Sequence, residues 1–164
     1  MEAIKYLLLA ESNEASIMNA LCKTLGVSSC ADAYLVAQSE DYLLHFCIAS
    51  KQSEYETACF FERQLNYIYD YFSGVETGYS LVKTRALRQL ELSDSLVLMQ
   101  YSCREENQGL AERRLDTIAK ALLAQFCGLL LSDSGHKLLN ENLSLVFSDE
   151  GAFKVMDFAP CKVK

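Results

Sequence analysis

Among the cysteines, Cys103 is the one whose sequence setting could favour a reactive thiol; the alternative is an ordinary reduced cysteine. It lies in Tyr101-Ser102-Cys103-Arg104-Glu105, after an apolar run and ahead of a helical pattern. With Ser102 as helix cap and Glu105 closing the capping box, Cys103 falls in the first turn beside Arg104. A helix N-terminus and a guanidinium both favour thiolate, the nucleophilic form. Asn107 is an equally good cap, and that choice leaves Cys103 in a loop. His136, after a glycine turn, is the base such a thiol would need, with an arginine as anion holder. The pattern commits no residue to catalysis; Cys103, His136 and Arg104 are candidates for a small-ligand protein or thiol-dependent enzyme.

Other chemistry has less support. His45 sits in Leu43-Leu44-His45-Phe46-Cys47, on the same side as Leu43 and Cys47, where a neutral structural histidine is expected. Arg85 with Arg88, and Arg113 with Arg114, could grip an anion, but local acids are the simpler partners. Ser132-Asp133-Ser134-Gly135 and Ser148-Asp149-Glu150-Gly151 read as turns rather than calcium loops, because ligands do not alternate through twelve positions. The chain contains neither GxxxxGK[ST] nor GxGxxG, and neither GxSxG nor HExxH. No metal and no cofactor is expected.

The seven cysteines are 22, 30, 47, 59, 103, 127 and 161, an odd number with no close pair. Most fall in apolar periodic segments, so free thiols in a reducing cytoplasm are expected.

The helical segment from Ser53 to Ser73 carries two apolar stripes. Ala58, Phe61, Leu65, Ile68, Tyr69 and Phe72 form one. At about 100° per residue, Phe60, Tyr67 and Tyr71 form another, well round from the first. Either the helix is sandwiched between the sheet and the following helix, or Phe60, Tyr67 and Tyr71 form an exposed interface.

These residues need an α+β scaffold to hold them. Ile4–Ala10 reads as a buried strand, followed by a helix to Leu25 capped by Ser12 or Asn13 and stopped by Gly26. Ala33–Ala37 and Tyr42–Ala49 suggest a hairpin. Ser53-Glu54-Tyr55-Glu56 has capping-box form and starts the long helix, which Gly74 ends. A shorter helix is expected over Ser80–Leu92. Ser95–Tyr101 reads as a strand covered on both faces, and Glu105–Cys127 as the last helix, closed by Gly128. Short strands are expected at Leu129–Leu131, His136–Leu139, Leu143–Phe147 and Ala152–Phe158. The order predicts a single domain over 1–164, with a mixed or antiparallel sheet. A ferredoxin-like β-α-β-β-α-α-β core would be followed by an α-β-β-β extension.

The 164 residues are 51% hydrophobic and 23% charged, enough to bury a core. Net charge is −7. The first 82 residues carry four basic and eleven acidic side chains, the second half eleven of each. That imbalance argues against nucleic acid and anionic membrane surfaces as partners. The run Tyr6–Ala10 is too short for a signal peptide, and no stretch nears the roughly 18–20 apolar residues of a membrane span. The expected role is a non-catalytic protein-binding module of adaptor, immunity-protein or secretion-chaperone type, binding a protein partner or itself as a homodimer.

Overall fold

A computed structural model describes residues 4–26, 34–74, 81–133 and 153–159. It shows one six-stranded antiparallel sheet with helices on both faces, an α+β architecture. In chain order the elements are β1 (Ile4–Ala10), α1 (Glu14–Leu25), β2 (Tyr34–Gln38), β3 (Tyr42–Ser50), α2 (Tyr55–Gly74) and α3 (Leu81–Leu92). Then come β4 (Ser93–Cys103), a 3-10 turn (Glu105–Asn107), α4 (Gln108–Gln125), β5 (Gly128–Asp133) and β6 (Phe153–Ala159). The expected strands His136–Leu139 and Leu143–Phe147 lie outside the described residues.

Local signals act largely where the sequence puts them. Asn13 caps α1: its side chain accepts from the Ser16 amide, and Ser16 returns the bond to the Asn13 amide. Gly26 ends the helix at φ 74°, a left-handed conformation that suits glycine. Ser53 behaves differently from a helix cap. Its hydroxyl donates to the Glu14 carboxylate and accepts from the Ser50 amide, so it ties α2's start to α1.

The apolar runs of β1 and β4 occupy the centre of the sheet. Tyr6 to Leu9 and Leu96 to Met99 are fully buried because both faces are covered. Leu7, Leu9, Phe46, Val97 and Met99 pack with α1 and α4. Tyr6, Leu8, Cys47, Leu98 and Leu131 pack with α2 and α3. Lys5 is also buried on β1, where Asp116 of α4 pairs with it. A lysine so placed needs that partner, since an unpaired buried charge is costly.

The strand order is β2-β3-β4-β1-β5-β6, which differs from the expected ferredoxin-like core. The reason is the number of helices between β3 and β4. A single helix would carry the chain to the far end of the sheet and make β4 parallel to β3. The pair α2 and α3 brings it back, so Ser95 lies opposite Ser50 and the strands run antiparallel. β1 therefore neighbours β4 and β5 rather than β3. Both neighbours are antiparallel to β1, so β4 and β5 are parallel to each other, joined through α4 with β1 between them. These elements form a split βαβ unit.

Gly128 also departs from its expected role. α4 ends earlier, at Gln125, with Phe126 in extended conformation. Gly128 opens β5, where a Cβ would run into the carbonyl oxygen of Leu8. Glycine is required there by the closeness of β1.

Candidate functional site

Cys103 is the last residue of β4, paired with Tyr42 of β3, and half-buried against the α1/α4 core. It is not in the first turn of a helix. Ser102 stays in the strand, Arg104 is exposed with extended backbone, and the 3-10 turn separates both from α4. Asn107 stands in the cap position of α4 without a side-chain cap bond; its amide donates to the Asp41 carbonyl instead. The thiol thus lacks the helix-end field expected to activate it.

Strand alternation decides which groups can meet. Ser102 and Cys103 point to opposite faces of β4. Ser102 faces the side that carries His45, and its hydroxyl lies 3.4 Å from His45 Nε2, a weak contact. The sheet therefore stands between the Cys103 thiol and this imidazole. Burial lowers the His45 pKa, so the ring stays neutral near pH 7. His136 lies outside the described residues. Cys47, on the His45 face, is pushed up to about 12 by burial and then by the Glu14 charge, which makes it an inert thiol.

Cys22, Cys47, Cys59 and Cys103 are free, whereas Cys127, just before β5, is disulfide-bonded. That bond corrects the expectation of seven free thiols. An odd count with wide spacing hides a single bond, because pairing depends on which residues the fold brings together. Among the described residues no group of three or more His, Cys, Asp or Glu could hold a metal ion. Arg85, Arg88 and Arg113 are exposed and Arg114 half-buried on their helices.

The aromatic stripe has a clear structural partner. Phe60 is 5% exposed and Tyr71 half-buried, while Tyr67 leaves 37% of its surface outside. Phe153, at the start of β6, receives edge-on contacts from Tyr67 at 5.5 Å and from Tyr71 and Tyr6 at 5.3 Å. Phe72 adds a tilted contact at 6.5 Å. α2 has two stripes because the second meets a strand from the far end of the chain. The three residues do not form one open patch. On the outer face of α2, Tyr55 (83% exposed) and Tyr69 (37%) stand with the exposed acids Glu56, Glu62 and Asp70.

A second polar region lies where β1, β3 and β4 meet. Glu11 has φ 48°, and its amide donates to Asp94 Oδ2 at 2.8 Å. Lys51 Nζ lies 3.5 Å from the other oxygen of the same carboxylate. Glu11, Ser12, Asn13, Lys51, Gln52 and Asp94 line an open cleft of about 270 Å³. Asp94 thereby holds a strained turn in place. No sequence motif marks this region; the contact joins residues far apart in the chain. No described helix is long and apolar enough to cross a membrane. Compared with known proteins, the chain matches no family model, no curated protein and no solved structure.

Proposed function

We propose that the protein is a non-catalytic protein-binding module of the adaptor, immunity-protein or secretion-chaperone kind, able to bind a second copy of itself. The outer face of α2 carries this reading: Tyr55, Tyr67 and Tyr69 are exposed among Glu56, Glu62 and Asp70. Tyrosine offers large contact area at low entropic cost, and the rings of Tyr67 and Phe153 already hold one another. The acids would steer a basic partner. The cytoplasmic placement rests on the four free cysteines, and Cys127 argues against it; mapping its bond decides between them.

Sedimentation equilibrium tests the self-binding form. The wild type is expected to dimerise in the micromolar range. Tyr55→Ser, Tyr67→Ser and Tyr69→Ser together should give a folded monomer whose melt falls by only a few degrees, chiefly from the lost Tyr67–Phe153 contact. A wild type that stays monomeric at high micromolar concentration, in a form indistinguishable from the triple variant, overturns self-association through α2.

A further inference from the structure

The two edges of the sheet are built differently. β6 has a bulge against Leu130 and Leu131 and carries the charge of Asp157, two features that discourage strand addition. β2 pairs with β3 in unbroken register, and its residues Tyr34–Gln38 include neither charge nor proline. Among the described residues no strand pairs with the outer edge of β2.

Cover is also incomplete at this edge. Six strands at about 4.8 Å spacing span roughly 24–29 Å, whereas two packed helices cover about 20 Å. On one face α2 rests on β3 and α3 on β1 and β5. Val36, on that face of β2, is 42% exposed. Leu35 and Ala37 are half-buried on the other face, against the α1/α4 core.

Charge at the end of the strand selects the occupant. Glu40 and Asp41 follow β2 and are exposed. Asn107 bonds the Asp41 carbonyl, which brings exposed Glu105 and Glu106 to the same corner, with Arg104 as the counter-charge in that turn. Residues 34–50 contain neither lysine nor arginine.

We infer that β2 is a docking edge for an extended basic segment of a partner protein, which adds as a seventh antiparallel strand. This rests on the binding-module reading but uses a surface separate from the tyrosines of α2. In an antiparallel addition the N-terminal end of the segment lies beside Gln38, so its lysines or arginines belong there. Apolar residues at alternate positions would continue the face of Val36.

A synthetic peptide with two N-terminal lysines followed by alternating valine and threonine is a direct probe. Titration into the whole protein, followed by fluorescence anisotropy and amide NMR, should show binding with shifts centred on β2. Replacing its lysines by glutamates, N-methylating alternate amides, or introducing Val36→Lys should each weaken binding at least about tenfold. Circular dichroism should show that Val36→Lys folds as the wild type does. Absence of binding at millimolar peptide overturns the inference. Binding that survives N-methylation or Val36→Lys overturns it too, because that would be surface charge alone. A wild-type dimer made monomeric by Val36→Lys would assign the edge to a second copy and also overturn it. Only that last result also bears on self-association through α2, by moving the dimer contact to the edge; the peptide results leave the mass change expected from the α2 tyrosine variant unaltered, so the two readings fail separately.

Discussion

Phe153→Ala removes the ring that Tyr6, Tyr67, Tyr71 and Phe72 all touch. Phe153 is only 5% exposed. Truncating a buried phenylalanine costs about 3–5 kcal/mol, a sum of lost transfer energy and residual cavity. The edge-on geometry of three of the ring pairs places the cost toward the upper part of that range. In a chain of this size each kcal/mol lowers the melting temperature by about 2–4 °C, so a fall of roughly 10 °C or more is expected. Urea unfolding at constant m-value measures the free energy, and sedimentation measures the mass of the same sample. Tyr67→Ser, at a ring with more than a third of its surface outside, should cost much less, about 1 kcal/mol. A Phe153→Ala variant that loses under about 1 kcal/mol would refute the claim that the second stripe of α2 is anchored on β6.

Gly128→Ala should destabilise by about 1–3 kcal/mol by forcing β5 away from the Leu8 carbonyl, measurable by denaturant unfolding and by faster amide exchange in β1 and β5. The His45 pKa is lowered in the fold, so the unfolded chain binds more protons between that value and its own. Stability should therefore fall as pH drops below about 6.5 and level off under the folded pKa; His45→Gln should flatten that part of the profile, and an unchanged slope would contradict the burial. Alkylation of the denatured, unreduced protein should label Cys22, Cys47, Cys59 and Cys103, with Cys127 labelled only after reduction. In the native protein Cys47 should react most slowly, because its thiol is held up to about 12.

Much of the scaffold was legible because its signals are local. The Asn13 cap, the Gly26 stop and the apolar run through Leu96–Met99 each act within a few residues. What was not legible depends on direction or distance. Reading a ferredoxin-like core required β4 to arrive from the other end of the sheet, and the second helix between β3 and β4 reverses that arrival. Helix count was visible in the periodicity; its effect on strand direction follows only once the helices are stacked on the sheet. The activated setting of Cys103 failed for a smaller reason: β4 extends to Cys103 and α4 starts at Gln108, so the cap at Ser102 never forms. The double stripe on α2 was visible, but its partner, Phe153, lies too far along the chain for spacing to reveal. The Lys5–Asp116 pair could have been suspected from a lysine inside an apolar strand, though not its partner.

The position of β1 governs when this protein can assemble. It is synthesised before the other described strands, yet its two neighbours are β4 and β5, so Leu8 finds its partners only at Leu96 and Leu129. Until those residues leave the ribosome, the two apolar faces of β1 have no sheet to join. The β2–β3 hairpin can form early, but it must then wait at one side of a gap that the second half of the chain fills. Long-range closure of this kind slows folding and prolongs exposure of unpaired strands. A chain cut anywhere before β5 retains β1 without its second neighbour, so truncation is expected to yield aggregation rather than a smaller folded unit.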